Sequence, residues 1–158
     1  MKAISVFNFI SQFHVQLAID PDSIFEKNGR FFLINKTLRL LANRDFFYAG
    51  AYLGKAKAGK FFPSFILLSM LAKEKESNRV VVDKKSAWLF ICGRDILGKS
   101  IVRVHGQGKK GVNTLVLNEF GECLGFGRIV GKVTGFSVGD ELAVRNVSDI
   151  GDFLRRER

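Results

Sequence analysis

Gly93-Arg94-Asp95-Ile96-Leu97-Gly98-Lys99-Ser100 fills every fixed position of the phosphate-loop pattern G-x-x-x-x-G-K-[ST]. In that pattern backbone N–H groups close around phosphates, the lysine reaches them, and the hydroxyl holds a magnesium ion. The chemistry requires a helix that starts at the lysine and aims its N-terminus at the phosphates. Ile101-Val102-Arg103-Val104 follows here, a strand-like run, and only about sixty residues remain for the parallel sheet such enzymes use. Gly106-Gln107-Gly108-Lys109-Lys110-Gly111 matches G-x-G-x-x-G and fails on the same ground, since strand residues follow where a dinucleotide site needs a helix. A basic, glycine-rich loop is the better description, and Lys109 and Lys110 on it can still follow a phosphate backbone.

Other reactive side chains are few. The chain has two cysteines and two histidines. Cys92 and Cys123 lie in apolar stretches and are expected to be buried free thiols, as two thiols do not make a disulfide framework. With His105 they lack the close ligand spacing of zinc sites, and His14, among apolar neighbours, reads as a core histidine. No metal or other cofactor is expected. Asp140-Glu141 and the pair Asp149 and Asp152 read as turn and helix-start residues, and no nucleophile stands beside a base in the sequence.

The ending Asp149-Ile150-Gly151-Asp152-Phe153-Leu154-Arg155-Arg156-Glu157-Arg158 concentrates charge differently. Ser148 is expected to cap a short helix through its hydroxyl, with Asp149 and Asp152 near the positive end of the helix dipole. Ile150, Phe153 and Leu154 form an apolar stripe that would dock the helix. Arg155, Arg156 and Arg158 are left at the tip, where they are expected to point into solvent and meet a polyanion.

The whole chain shares that polarity. Its 158 residues carry 25 basic and 15 acidic side chains, a net charge of +10, with 47% hydrophobic residues. Such a composition builds real cores and favours nucleic acid or an acidic surface as partner. No apolar run reaches the roughly 18 residues of a membrane span. The N-terminal residues, broken by polar side chains and without a small-residue cleavage site, read as structure rather than as a signal peptide. A cytoplasmic location is expected.

These groups must be positioned by two modules. Lys73-Glu74-Lys75-Glu76-Ser77-Asn78 is the one clear composition shift, placing the division at 1–77 and 78–158. In the first module Val6, Ile10, Phe13 and Leu17 recur at helical spacing. Asn28-Gly29 predicts a hairpin turn, Asn35 a cap for a helix over 36–41, Phe46-Phe47-Tyr48 a strand, and Ser64 the start of a buried helix. Gly50 and Gly54 come with Lys55, Lys57 and Lys60 between and beyond. In the second module Arg79–Asp83, Ala87–Ile91, Ile101–Val104, Thr114–Asn118, Cys123–Val130 and Leu142–Val147 read as short strands, with Glu119-Phe120-Gly121 as a hairpin loop. Evenly spaced short strands suggest a small barrel. The fold class is α+β, an N-terminal α/β domain of antiparallel strands wrapped by helices followed by a mixed β pseudo-barrel.

Arg79–Asp83, the segment Gly93–Ser100 leading into Ile101, and Leu124-Gly125-Phe126-Gly127-Arg128 together resemble a PUA domain, a compact RNA-binding pseudo-barrel with a short helix near the false phosphate loop. The resemblance extends to the Nip-seven family of large ribosomal subunit biogenesis factors. Asp149-Ile150-Gly151-Asp152-Phe153-Leu154-Arg155-Arg156 resembles that family's D-I-G-[DE]-[FY]-[LV]-R ending. Gly54-Lys55 with Gly59-Lys60-Phe61, then Leu67 to Ala72, resembles its first-domain block. The absence of the insertions and tail of eukaryotic members suggests an archaeal-type member.

The resemblance implies a pre-PUA domain plus a PUA domain and a role without chemistry or cofactor in maturing large-subunit ribosomal RNA. It also implies contacts with other assembly factors, the exosome among them. The expected ligand is single-stranded pre-rRNA, uridine- or pyrimidine-rich, since unstacked bases can be read without opening a duplex. Arg155 and Arg156 carry over from the family's basic ending, and Arg158 rests on spacing alone. Lys84, Lys85, Lys99 and Arg128 are further phosphate candidates. A monomer is expected. Two other readings stand beside this one: an RNA-modification enzyme or its accessory subunit, since PUA domains accompany such enzymes, and a protein-binding adaptor docking through Phe61-Phe62-Pro63.

Overall fold

A computed structural model describes residues 4–42, 44–45, 48–133 and 139–156, with the backbone alone for Phe153, Leu154 and Arg156. The chain opens with helix α1 (Ile4–Ser11), whose buried Val6, Phe9 and Ile10 follow the apolar spacing, while Phe13 is buried just beyond it. Strands β1 (Ile24–Lys27), β2 (Arg30–Leu33), β3 (Ala51–Lys57) and β4 (Lys60–Pro63) then form an antiparallel meander in chain order. Asn28 (φ 52°) and Gly29 (φ 73°) make the expected tight turn between β1 and β2. Ala58 (φ 50°) and Gly59 (φ 74°) make a second one, which the sequence reading leaves as glycines among lysines. Helix α2 (Lys36–Leu40) starts where Asn35 Oδ1 accepts the Leu38 N–H at 2.8 Å. Helix α3 (Phe65–Lys73) starts where Ser64 Oγ accepts the Leu67 N–H at 3.1 Å. Both caps are as expected, whereas the strand expected at Phe46-Phe47-Tyr48 falls largely outside the described residues.

The second half forms a six-stranded mixed sheet that curls into a half-barrel. Its strands are β5 (Arg79–Val82), β6 (Ile96–Leu97), β7 (Ile101–His105), β8 (Asn113–Leu117), β9 (Cys123–Ile129) and β10 (Leu142–Asp149), in the order β6-β10-β9-β8-β5-β7. The β5–β8 pair is parallel and the others are antiparallel. Ala87–Ile91, expected as a strand, belongs instead to helix α4 (Lys84–Ile91). Asp83 Oδ1 accepts the Ser86 N–H at 2.7 Å and so starts the helix. The run has a single β-branched residue, and Ser86 and Phe90, four apart, are its buried face. Helix α5 (Ile150–Arg156) closes the chain.

The two sheets share one core. Phe9, Phe13 and Phe31 from the first half pack in a single buried cluster with Val81, Leu115, Leu117 and Phe126 from the second. The rings of Phe9, Phe13 and Phe126 interlock with centroids 5.2, 5.4 and 5.7 Å apart. Burying each such side chain contributes roughly 1.5–3 kcal/mol. Asn78, at the expected boundary, is itself buried. Its N–H donates to the Phe13 carbonyl (3.0 Å) and its carbonyl accepts the Leu115 N–H (2.9 Å).

Two expectations about reactive groups are corrected here. His14 is exposed, in a turn with φ 55° just past α1, because Phe13 and Val15 take the buried positions on either side. Cys92 is exposed at the end of α4, and Cys123 is half-buried. Among the described residues, no helix is long and apolar enough to cross a membrane.

Candidate nucleic-acid interface

The terminal helix is held by a compact polar lock. Asp149, not Ser148, is its cap: the last residue of β10, it is buried, and its Oδ1 accepts the Asp152 N–H at 2.9 Å. Arg155 Nη2 donates to both oxygens of that carboxylate (3.0 and 2.9 Å), and Nη1 donates to the Ile91 carbonyl at the end of α4 (2.7 Å). Asn146 Nδ2 donates to Asp149 Oδ2 (3.0 Å) and to the Phe90 carbonyl (2.9 Å). The orphan carbonyls that end α4 are thereby satisfied, and a cation sits at the negative end of its dipole. Gly151 is the close-approach point, since a Cβ there would lie 1.9 Å from the Ile91 oxygen. The D-I-G-x-x-x-R ending therefore reads as a helix-to-helix clasp.

The expectation that Arg155 points freely into solvent is corrected accordingly. Its side chain is 45% exposed, but the guanidinium is committed to Asp149 and Ile91. Ile150 is exposed rather than docked. The side chains of Phe153, Leu154 and Arg156, and the whole of Arg158, lie outside the described residues.

Lys84 and Lys85 occupy the first turn of α4, at the opposite end from Arg155, about 10 Å away at the helical rise of ~1.5 Å per residue. Both are exposed. Cations at a helix N-terminus oppose the dipole, so the helix gains nothing from them; the Asp83 carboxylate already takes the Ser86 N–H, and the two lysines are what would draw an anion to this end. One turn on, Trp88 is 65% exposed and Leu89 is exposed beside it. Trp88 is the chain's single tryptophan. It escapes the sequence reading because a strand there gives it no fixed relation to Lys84, whereas a helix places the two four apart on one face.

The remaining candidates are dispersed. Lys99 lies in a 3₁₀ turn (Gly98–Ser100) and pairs with Asp140, so its charge is already countered. Arg128 on β9 is exposed, and its Nε donates to the Gly111 carbonyl at 3.1 Å. Directly across on β10 stands Arg145, also exposed, a like-charge pair that sequence reading cannot see without the register. The loop bearing Lys109 and Lys110 is exposed and tied at its start, where the Gln107 N–H donates to Asn78 Oδ1 at 2.8 Å. The false phosphate loop serves the sheet instead: Asp95 Oδ1 accepts the Asn146 N–H at 2.8 Å, and Ile96-Leu97 pairs with β10. The structure thus gathers Lys84, Lys85 and Trp88 on one helix, sets Arg128 beside Arg145, and holds Arg155 and Lys99 in ion pairs.

A polyphosphate meeting this surface would find countercharge and one broad aromatic face. Among the described residues no group of three or more histidine, cysteine, aspartate or glutamate side chains is arranged to hold a metal ion. Cys123 is a poor nucleophile at neutral pH, because burial pushes its thiol up to about 11, outweighing a backbone hydrogen bond at Gly125 that pulls the other way.

Comparison with known proteins gives the same frame. A model of the UPF0113 PUA domain family matches residues 78–158. A UPF0113 protein of Archaeoglobus fulgidus is 30% identical over 113 residues, 70% of this chain, and the chain spans 63% of that relative's length. Among solved structures, a conserved PUA domain protein from Thermoplasma acidophilum superposes with a TM-score of 0.60 at 17% identity, covering 99% of this chain and 93% of its own. A hypothetical protein of Pyrococcus horikoshii OT3 gives 0.54 at 16% identity, covering 94% and 91%. These two show the fold. With the family model matching more than half its length, the chain belongs to the UPF0113 PUA domain family.

Proposed function

We propose that this protein is a non-catalytic RNA-binding factor that engages single-stranded, pyrimidine-rich segments of pre-rRNA during large-subunit maturation. The observation that carries the reading is Lys84 and Lys85 exposed at the N-terminus of α4 with Trp88 exposed one turn on, within a domain family that is typically RNA-binding. The lysines supply phosphate contacts and Trp88 a stacking face. Arg128 and Arg145 form a separate positive patch on β9 and β10. Arg156 and Arg158 remain phosphate candidates from the sequence, and Arg155 and Lys99 contribute less because their charges are already met. The ribosomal assignment rests on the likeness of the terminal motif to the Nip-seven family, and assembly factors are the partners that likeness suggests.

Titration with single-stranded uridine-rich RNA, followed by Trp88 fluorescence, tests the reading. The signal is expected to change on binding, and Lys84→Ala with Lys85→Ala is expected to reduce the slope of log K against log salt by about 1.4, at ~0.7 per phosphate on a single strand. Absence of RNA binding at low ionic strength would overturn it.

A further inference from the structure

The outer face of the four-stranded sheet carries a charge pattern that folding does not explain. Lys27 is paired in register with Arg30, and Arg30 with Lys55, so cations stand opposite cations across β1, β2 and β3. Lys57 likewise stands opposite Lys60. Like charges directly opposite destabilise a sheet. Lys27 is relieved by Asp45 at 3.2 Å. Lys55, Lys57 and Lys60 are exposed, and among the described residues no carboxylate lies within ion-pair distance of them.

Aromatic side chains sit on the same face. The rings of Phe32, Tyr48 and Tyr52 lie 5.4, 5.5 and 6.0 Å apart in pairs, and Tyr48 remains 53% exposed. With Arg30 and Lys55 they line a cavity of about 240 Å³. Tyr52 and Lys55 also border a cavity of about 460 Å³ that includes Lys60 and the exposed Phe62. Lys60 in turn borders a groove of about 580 Å³ that reaches Asn113 and Arg128 on the second sheet. The three spaces share lining residues, so a track of alternating cations and rings runs from Tyr48 to Arg128. Among the described residues one carboxylate, Asp152, lines it, at the second-sheet end of the middle cavity.

We propose that this track is a second binding surface for single-stranded RNA, with a base seated against Tyr48 and Tyr52 and the adjoining phosphates held by Lys55 and Lys60. It rests on the reading of the protein as an RNA binder but places contacts outside the PUA half. A single strand is the occupant that matches the chemistry: flat rings take unstacked bases, and the exposed, spaced Lys55 and Lys60 take phosphates. A duplex keeps its bases stacked and would leave the rings unused.

Binding of a fluorescent single-stranded RNA to the full chain, by anisotropy, is the test. Lys55→Glu with Lys60→Glu, and separately Tyr48→Ala, are each expected to weaken binding about tenfold or more, since a stacked base contributes ~1–3 kcal/mol. Both sites are exposed, and circular dichroism melts are expected to stay within a few degrees of the parent. Ultraviolet crosslinking with thiouridine-substituted RNA is expected to label Tyr48 or Tyr52 within the tryptic peptide of residues 45–55. Should the charge-reversal and Tyr48 variants bind as the parent does while the Lys84/Lys85 variant loses affinity, this surface is excluded and the RNA-binding reading stands. Duplex RNA binding as tightly as the single strand, through the same lysines, would also overturn it. If the parent binds no RNA, the broader reading fails first.

Discussion

Arg155 is the residue whose meaning changes most between sequence and structure. Its guanidinium closes a ring of contacts with a buried carboxylate, Asp149, and the end of α4. Removing it strands that carboxylate with Asn146 and one backbone N–H. Because Arg155 is itself half-exposed, the cost sits below that of a fully buried pair, at about 2 kcal/mol. Arg155→Ala is therefore expected to lower Tm by roughly 4–8 °C in a thermal melt. Cys123 supplies a pH-dependent effect. Its thiol is raised in the folded state, so the folded protein holds this proton more tightly than the unfolded chain. The associated stability is complete below the ordinary thiol pKa and is lost as pH rises toward about 11. At pH 8, iodoacetamide is expected to modify Cys92 first and Cys123 only slowly, which peptide mass mapping would report. Equal rates would contradict the burial of Cys123.

Helix α4 positions the chemistry of the second half and is the element that sequence reading misassigns. Asp83→Ala is expected to destabilise the fold by about 1 kcal/mol, the usual effect of losing a helix cap, readable in a urea melt. Elements with a local stop or start signal were legible: Asn28-Gly29 for the first hairpin, Asn35 and Ser64 as caps, and Gly121 (φ 81°) in the β8–β9 loop. Ala87–Ile91 was not, because a short apolar run has no decisive period and the cap lies four residues upstream. The β3–β4 turn escaped because Ala58-Gly59 is a weak turn signal. Of the site, the charges at 84, 85 and 128 were visible as residues. Their pairing was not, since only the fold brings Asp140 to Lys99, Asp149 to Arg155 and Arg145 across from Arg128.

At the scale of the whole molecule, the shared phenylalanine core governs behaviour. Phe126 contacts rings from the opposite half and is nearly fully buried, so Phe126→Ala is expected to cost about 3–5 kcal/mol. The protein, parent and variant alike, is expected to unfold in one step with coincident fluorescence and circular dichroism transitions. Two separated steps would show that the halves are energetically independent. That interlock of Phe9, Phe13 and Phe126 has a geometric consequence for any long ligand. Packing of that kind resists hinge motion, so Trp88 in one half and Tyr48 in the other are expected to keep a nearly constant spacing, like the jaws of a fixed gauge. A polymer that reaches both must bring its own flexibility, and its length and curvature, rather than any motion of the protein, decide whether the second foothold is taken.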